Sequence, residues 1–295
     1  MIKHNEIAAT VILYHPDDSV IGNLHSYVDQ VDVIFAIDNT EKGHIKATLL
    51  AELTENKKII YSPNNENLGI AKALNIGARN AIQAGYKFLL TMDQDSKASP
   101  TMVADLINCN AAQNLPEIGI LSPFHSTATD PCPPAGGECF QVLTAWTSGS
   151  LLNLEAYKAA GLFTENLFID FVDHEYCLRL NLAGYKIFKV NNAILTHELG
   201  TGLKRHKFLW TTPVASNHSA LRRYYITRNR FHVASRFKGY FPTFFKEDLI
   251  LFWKDLVVIF LFEKDRFQKY EMIFKGFLDY KKSRLGKYPT TKDHC

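Results

Sequence analysis

The sequence predicts an α/β fold in which helices flank a largely parallel sheet, followed by a helical extension. Strand-like and helix-like runs alternate through the first half of the 295-residue chain, and this alternation is typical of βαβ units. Hydrophobic residues make up 46% of the chain, enough to bury a sizeable core. Beyond Gly200 the pattern changes to long, aromatic-rich helices. We therefore expect a first domain over residues 1–200 and a helical region over residues 201–295.

The individual elements follow from apolar runs and the turn residues that end them. Apolar, β-rich runs predict five strands, over residues 7–14, 31–37, 58–61, 88–92 and 118–122. Further strand-like runs cover residues 140–148, 187–190 and 193–196, with a hairpin-type break at Asn191 and Asn192. Helical spacing predicts helices over residues 70–84 and 171–183. The apolar run 249–262 predicts a core or interfacial helix, because its longest uncharged stretch is far shorter than the roughly 20 residues that span a bilayer.

Charge is distributed unevenly along the chain. Residues 1–199 contain 13 Lys and Arg against 22 Asp and Glu, whereas residues 200–295 contain 20 against 8. A basic C-terminal region predicts an anionic partner, and both nucleic acid and a phospholipid surface qualify. The Arg-rich stretch 222–230 has interleaved aromatic residues but no nucleic-acid fold signature. We therefore expect Arg223 and Arg228 to contact a phosphate, either a diphosphate or a lipid head group, and we expect no nucleic acid.

The five cysteines are scattered and include no Cys-x-x-Cys pair. This pattern argues against a zinc site and against a disulfide framework, and it fits a reducing compartment. The first residues lack the apolar stretch of a signal peptide. We therefore expect a cytoplasmic protein.

Polar side chains follow several of the predicted strands. Asp38, the segment 64–67, and the pair Asp93 and Asp95 all stand at strand ends. The carboxyl ends of parallel strands share one edge of a sheet, where ligands bind in open α/β folds, so these residues predict a nucleotide-sized cleft. At strand spacing, Asp93 and Asp95 would point to the same side and suit a divalent cation, Mg²⁺ or Mn²⁺, bound to a diphosphate. The competing interpretation is a solvated turn.

Two further features are candidates for the site, each with a plain alternative. His197 ends a short strand and could bind the metal or the diphosphate, although a lone histidine is more often a surface or core residue. Trp146, Ser148 and Gly149 could form a wall on the acceptor side, or an ordinary strand end.

An ordered set of motifs resembles the family 2 glycosyltransferases, which have the GT-A fold. The closer resemblance is to the bacterial rhamnosyltransferase branch. The motifs that carry it are Ile37-Asp38-Asn39, Asn64-x-x-Asn67-Leu68-Gly69, Ala73-Leu74-Asn75-x-Gly77, Asp93-Gln94-Asp95-Ser96, the run Phe168 to Arg179, Arg222-Arg223-Tyr224-Tyr225-Ile226-Thr227-Arg228-Asn229 and Lys275-Gly276-Phe277-Leu278-Asp279. One departure is Val172, because many relatives carry Glu before the Asp at 173.

The resemblance implies a role for each matching residue. Asp38 would hold the nucleobase or ribose of a sugar nucleotide, and Asn67 and Gly69 would line the same pocket. Asp93 would meet the ribose or the metal, and Asp95 the metal. Asp173 would be the general base. Glu175 is a second candidate, although a charged helix face also explains the pair, since residues i and i+2 lie about 200° apart on a helix.

The leading hypothesis is an inverting, metal-dependent glycosyltransferase. The resemblance implies transfer of L-rhamnose from dTDP-L-rhamnose to a glycan or polyprenyl-diphosphate-linked acceptor in bacterial surface polysaccharide synthesis. Alternatives are a relative that uses another UDP- or dTDP-hexose, a sugar-nucleotide nucleotidyltransferase and a non-catalytic carbohydrate-binding protein. The nucleotidyltransferase is disfavoured because residues 14–18 contain no glycine for a phosphate loop. The C-terminal helices predict peripheral attachment to the inner face of the plasma membrane or, alternatively, a homo-oligomer.

Overall fold

The computed structural model describes residues 2–109, 115–127, 130, 133, 139–197, 204–205 and 214–289. The chain divides into two compact units. Unit 1 comprises Met1–Phe168 and Val172–Glu198, and unit 2 comprises Ile169–Phe171 and Leu199–Cys295. Three residues of unit 2 therefore interrupt unit 1 in the sequence.

Unit 1 alternates strands and helices as the sequence predicts. Its strands are β1 (Ile7–Leu13), β2 (Val33–Asp38), β3 (Ile59–Pro63), β4 (Phe88–Asp93), β5 (Ser96–Ala98), β6 (Ile118–Ser126), β7 (Cys139–Val142), β8 (Ser150–Asn153) and β9 (Lys186–His197). Its helices are α1 (Ser19–His25), α2 (Ala47–Glu55), α3 (Ile70–Gln83), α4 (Met102–Asn108), α5 (Leu154–Ala160) and α6 (Val172–Leu182).

Within the described ranges, the nine strands of unit 1 form one sheet in the order β3-β2-β1-β4-β8-β6-β9-β5, and β7 also pairs with β9. Strands β3, β2, β1 and β4 are mutually parallel. Strand β8 runs antiparallel between β4 and β6, and β6 is parallel to β9. The expected α/β class with a mostly parallel sheet is confirmed, with antiparallel β8 in its middle and antiparallel β5 and β7 against β9.

The centre of the sheet is buried on both faces, which explains why β1 is apolar at every position except one. All seven residues of β1 are buried. Its one polar side chain, Thr10, donates a hydrogen bond of 3.1 Å to the Phe35 carbonyl. Helix α3 packs closely over this point, because a Cβ at Gly77 would lie only 2.2 Å from the Thr10 Oγ. A buried polar group satisfied in this way costs little, and the close approach fixes α3 over β1.

Three expectations from the sequence are wrong. The run 140–148 holds only the short strand β7, and the next strand, β8, begins at Ser150. Residues 186–197 form one strand, not two, because the break at Asn191 and Asn192 is an irregularity in its pairing with β6. The cysteines are not all unpaired either, since Cys109 and Cys139 form a disulfide with a Cα–Cα distance of 6.3 Å, within the range such bonds allow.

Unit 2 consists mainly of three helices: α7 (Ala220–Phe237), α8 (Pro242–Phe262) and α9 (Arg266–Lys281). Two short strands, β10 (Lys204–Arg205) and β11 (Val214–Ala215), pair antiparallel. Helix α9 packs closely on α7, because a Cβ at Gly276 would lie 2.5 Å from the Tyr224 carbonyl oxygen. The predicted helical C-terminal region is confirmed. None of the described helices is both long enough and apolar enough to cross a bilayer.

Candidate active site

The carboxyl ends of β1, β2 and β4 bring two of the predicted carboxylates to the same edge of the sheet. Asp38 pairs with Leu13, and Asp93 pairs with Ile12, on opposite sides of β1. Adjacent strands lie about 4.8 Å apart, so the backbones of Asp38 and Asp93 are separated by about 10 Å across β1. The proximity of Asp38 and Asp93 follows directly from this register.

Asp38 is almost fully buried, with 1% of its surface exposed. One carboxylate oxygen accepts a hydrogen bond from the backbone N–H of Thr40 (2.8 Å), and the other accepts one from the Tyr61 hydroxyl (2.6 Å). Burial and this bond to Asp38 raise the pKa of Tyr61, so the phenol remains a donor. The carboxylate is therefore held in one orientation by a neighbouring strand.

The segment from Asn64 to Gly69 forms a tight turn that leads into α3. The Asn67 side-chain oxygen accepts from the Gly69 N–H (3.0 Å), and the Asn39 amide donates to the Gly69 carbonyl (3.2 Å). Gly69 has φ +82°, and a Cβ there would lie 2.6 Å from the Phe168 ring. Only glycine meets both requirements. The sequence predicts Asn67 and Gly69 as pocket residues, and their described contacts shape the turn.

Asp93 is the last residue of β4, and Gln94 and Asp95 form the turn before β5. Asp95 is exposed in this turn and lies outside β4. Strand spacing therefore does not point its side chain to the same side as that of Asp93. The turn is held by Gln94, whose side chain accepts from the Tyr14 N–H (2.8 Å) and donates to the Tyr14 carbonyl (3.2 Å). Asn23 donates to the Gln94 carbonyl (2.8 Å).

Ser148 and Gly149 lie directly beside the end of β4. The Ser148 hydroxyl accepts from the Asp93 N–H (3.1 Å) and bonds the Ser96 hydroxyl (2.8 Å). The Gly149 N–H donates to the Thr91 carbonyl (2.7 Å). Gly149 has φ +76°, and a Cβ there would meet the Pro123 ring at 2.6 Å. Trp146 is 43% exposed. Ser148 and Gly149 thus adjoin the end of β4 at Asp93, as a wall of the site would.

The turn at residues 93–95, called the acidic turn below, carries oxygen donors that suit a divalent cation. Asp93 and Asp95 offer carboxylate oxygens at a partly exposed position, which suits Mg²⁺ or Mn²⁺ that keeps some water and a diphosphate as further ligands. The backbone of His197 pairs with Ser96, next to Asp95, but the His197 side chain lies outside the described residues. Among the residues that the structure describes, no three His, Cys, Asp or Glu side chains cluster around a common point.

Asp173 lies in the first turn of α6. Its Oδ1 accepts hydrogen bonds from the His174 N–H (2.8 Å) and engages the His174 Nδ1 at 2.9 Å. Burial raises the pKa of Asp173, but the charge and hydrogen bonds of His174 outweigh burial and leave the pKa below its usual value. A carboxyl group with a lowered pKa is ionised at neutral pH and can accept a proton.

Glu175 is placed differently from Asp173. It is fully buried, and both of its carboxylate oxygens accept from the Arg179 guanidinium, at 2.8 and 2.9 Å. Arg179 also donates to the carbonyls of Ala160 and Leu162. Glu175 and Arg179 therefore connect α6 to the end of α5, and these contacts favour a structural role for Glu175 over the predicted catalytic one.

A small pocket in unit 1 contains Asp173 in its lining. The other residues that line it are Thr91, Ile120, Ala145, Trp146, Thr147, Ser150, Leu152, Phe163, Tyr176 and Cys177. The predicted general base and the predicted Trp146 wall thus share one cavity.

The two arginines predicted to contact a phosphate are occupied inside unit 2. Arg223 is 3% exposed and pairs with Asp255 and Glu263, each at 2.9 Å. Arg228 is 1% exposed and donates to the Gly286 carbonyl at 2.6 Å. These contacts favour a structural role within unit 2 for both arginines over the predicted binding of the sugar nucleotide.

Sequence reasoning missed Tyr61, which hydrogen-bonds Asp38, and Gln94, which fixes the turn between Asp93 and Asp95. Tyr61 stands two residues before the end of β3, and its contact with Asp38 depends on the β2–β3 register. Gln94 stands between the two aspartates, and its contacts with Tyr14 depend on the β1–β4 pairing. Neither contact has a local sequence signal.

Comparisons with known proteins add to this geometry. Residues 11–112 match the family described as Glycosyl transferase family 2. The chain is 26% identical over 254 residues to the dTDP-rhamnosyl transferase RfbF of Shigella flexneri, covering 77% of this chain and 79% of that protein.

Two solved structures are similar in fold. The structure of GalNAc-T7 with UDP, GalNAc and Mn²⁺ aligns with a TM-score of 0.61 at 14% identity, over 81% of this chain and 49% of that one. S. aureus TarS aligns with a TM-score of 0.52 at 13% identity, over 77% of this chain and 39% of that one. The chain thus spans half or less of the length of these two proteins. At such identities the likeness concerns the fold alone, and the expected GT-A fold is confirmed.

Proposed function

We propose that the chain transfers a sugar from a nucleotide sugar with inversion at the anomeric carbon, because residues 11–112 match family 2 glycosyltransferases and the chain is similar to a dTDP-rhamnosyl transferase. The observation that carries this proposal is the register that brings Asp38 and Asp93 to one sheet edge. The nucleoside would bind at Asp38 and the turn at Gly69. The diphosphate would lie at Asp93 and Asp95.

The chemistry requires a base and a stabilised leaving group. Asp173 would accept the proton of the acceptor hydroxyl while its oxygen bonds to the anomeric carbon. The bond from that carbon to the diphosphate oxygen breaks, and the nucleoside diphosphate leaves with the electron pair. A divalent cation held by Asp93 and Asp95 would stabilise the negative charge of the diphosphate. A positioned base contributes about 10²–10⁴-fold to such a rate.

We propose dTDP-L-rhamnose as the donor, on the strength of the relative named a dTDP-rhamnosyl transferase. Another dTDP- or UDP-hexose is the alternative. Purified protein should be incubated with a panel of these donors, with Mg²⁺, Mn²⁺ or EDTA, and with membranes of the source organism as the acceptor. We expect transfer from dTDP-L-rhamnose that EDTA abolishes. Preference for a different hexose would correct the donor, and full activity in EDTA would refute the metal requirement.

We further propose that the acceptor is lipid-linked and that unit 2 attaches to the inner face of the plasma membrane. Support comes from α8, where Ile250, Trp253, Val257 and Phe260 are 46–60% exposed. Their spacing of three and four residues places them on one face of the helix. Aromatic and aliphatic side chains exposed together in this way are typical of helices that lie in a membrane interface.

The charges of α8 favour an anionic lipid surface over a second copy of the chain. Two of its three acidic residues are paired within unit 2, because Asp248 pairs with Arg230 and Asp255 pairs with Arg223, whereas Glu247 is exposed. The exposed Lys246 forms no ion pair within the described part of the chain, and the same holds for Lys254 and Lys264. A symmetric dimer through this face would bring like charges together, whereas anionic lipids attract each lysine by about 1 kcal/mol.

Vesicle sedimentation tests this attachment. We expect the protein to bind vesicles that contain phosphatidylglycerol or cardiolipin and not vesicles of phosphatidylcholine alone. The double variant Trp253→Ser/Val257→Ser should lose this binding, whereas Leu251→Ser, which alters an equally exposed leucine on another side of α8, should retain it. A concentration-dependent dimer that only the double variant disrupts would show that the face binds a second copy instead.

A further inference from the structure

The lining of the Asp173 pocket also includes a tyrosine whose hydroxyl has no hydrogen-bond partner among the described residues. Tyr176 is 1% exposed, and its hydroxyl is buried with no partner among the described residues. Leaving a buried hydroxyl unpaired costs about 1–3 kcal/mol. A group in this position is expected to bond whatever polar atom enters the pocket.

Several other polar groups of the pocket are already engaged. The Thr91 hydroxyl donates to the carbonyls of Thr147 and Ser150, and the Ser150 hydroxyl donates to the Trp146 carbonyl. The Cys177 thiol faces the Ala145 carbonyl at 3.7 Å. The lining thus includes one carboxylate residue, Asp173, and one phenol without a partner among the described residues, Tyr176.

The two groups are positioned together by α6. Asp173 and Tyr176 are three residues apart, so they lie on the same face of the helix. The Tyr176 ring is fixed by Phe163, with ring centroids 4.2 Å apart, and by the Arg179 guanidinium 5.1 Å from its centroid. Burial raises the pKa of Tyr176, so its hydroxyl remains protonated and can donate.

We propose that Tyr176 is a substrate-binding residue whose hydroxyl donates a hydrogen bond to a hydroxyl group of the acceptor sugar beside Asp173. This proposal rests on the proposed function and identifies the acceptor side of the same site. The acceptor is the better occupant than the nucleotide sugar, because Asp38, Asp93 and Asp95 do not line this pocket. The pocket volume of about 10 Å³ admits a single hydroxyl group of the acceptor and not a whole sugar ring.

The chain offers a matched control in Tyr157. Its ring lies 6.2 Å from that of Tyr176, and it is also buried, but its hydroxyl donates to the Asn75 side chain at 2.8 Å. Replacing either tyrosine by phenylalanine removes one oxygen and keeps the ring. The two variants therefore separate loss of a substrate contact from loss of an internal hydrogen bond.

The test measures transfer of labelled rhamnose from dTDP-L-rhamnose to membranes of the source organism, with the full chain and with Tyr176→Phe and Tyr157→Phe. For Tyr176→Phe we expect the apparent KM for the membrane acceptor to rise about 5- to 10-fold, the range of one neutral hydrogen bond. The KM for the donor and the unfolding temperature should not change. For Tyr157→Phe we expect a lower unfolding temperature and an unchanged acceptor KM.

The outcomes separate the two proposals. A wild-type acceptor KM in Tyr176→Phe overturns the role of Tyr176 and leaves the proposed function intact. A lower unfolding temperature with equal losses for donor and acceptor also overturns it, because it shows a packing role. Absence of transfer by the wild-type chain from every donor in the panel overturns the proposed function, and the role of Tyr176 with it.

Discussion

The backbone N–H of Asp93 donates a hydrogen bond of 3.1 Å to the hydroxyl of Ser148, fifty-five residues later in the chain. The same hydroxyl bonds Ser96, on the other side of the acidic turn. Ser148 is 3% exposed, so water does not replace these bonds. One serine thus holds both ends of the turn that carries Asp93 and Asp95.

The first prediction concerns this serine. Ser148→Ala leaves the Asp93 N–H without its partner, and we expect the protein to lose about 1–3 kcal/mol of stability. We also expect kcat/KM to fall about tenfold because the acidic turn is no longer held. Urea unfolding and donor kinetics measure the two effects. Ser235→Ala, at an exposed position in α7, should change neither, and wild-type kinetics in Ser148→Ala would contradict the positioning role.

The second prediction concerns the turn before α3. Gly69→Ala introduces a Cβ at φ +82° that meets Phe168 at 2.6 Å. We expect strain and clash together to cost more than about 2 kcal/mol and to weaken donor binding. Gly85→Ala is the control, because Gly85 has φ +85° but no atom within 4 Å of its Cβ. Equal destabilisation of both variants would show that the backbone conformation alone matters and that contact with Phe168 does not.

The third prediction concerns the pH dependence of the base. The pKa of Asp173 is held below its usual value although burial raises it, because His174 supplies charge and hydrogen bonds. A depressed pKa keeps the carboxylate ionised, and the stability that it contributes is lost as the pH falls through the folded-state value. We expect kcat/KM of the wild type to be flat from neutral pH down to the ordinary carboxyl range.

His174→Gln removes the opposing charge, so the pKa of Asp173 should rise through burial. The acid limb of the kcat/KM profile should then move to higher pH. The profile is to be measured between pH 4 and 8 on protein shown by circular dichroism to be folded. An acid limb that moves to lower pH, or not at all, would contradict the effect of His174.

The fourth prediction separates the two acidic residues of α6. Asp173→Asn should lower kcat about 10²–10⁴-fold with little change in unfolding temperature. Glu175→Gln breaks a buried ion pair with Arg179, so we expect it to cost about 3 kcal/mol of stability and to leave kcat of the folded fraction close to that of the wild type. A large loss of kcat in Glu175→Gln without loss of stability would restore a catalytic role for Glu175.

The sequence predicted those parts of the fold that repeat a local pattern. Strands β1, β2 and β4 are apolar runs buried in a parallel sheet, and the polar ends of β2 and β4 marked Asp38 and Asp93 correctly as strand termini. Helix α3 was predicted to within one residue because apolar spacing and Gly85 define it. The resemblance to family 2 glycosyltransferases, found from ordered motifs, is confirmed by the match over residues 11–112.

The remaining errors come from contacts between distant residues. The loop before β8 was predicted as a strand because no local sequence signal indicates that Gly149 takes a positive φ next to Pro123. The burial of Arg223 and Arg228 depends on partners 30 to 60 residues away, so their charge alone suggested a ligand. The roles predicted for Asp38, Asn67, Asp93, Asp95 and Asp173 in substrate binding and catalysis remain predictions.

The three residues Ile169–Phe171 limit how this protein can be divided. They belong to unit 2, where the Asn229 amide donates to the carbonyls of Ile169 and Asp170 at 2.7 and 2.9 Å, and Arg222 bonds the Asp170 carboxylate. The backbone has positive φ at Phe168, Asp170 and Phe171. A fragment that ends near residue 198 separates these carbonyls from their donor, so chimeras that exchange the C-terminal helices must exchange this tripeptide together with α7.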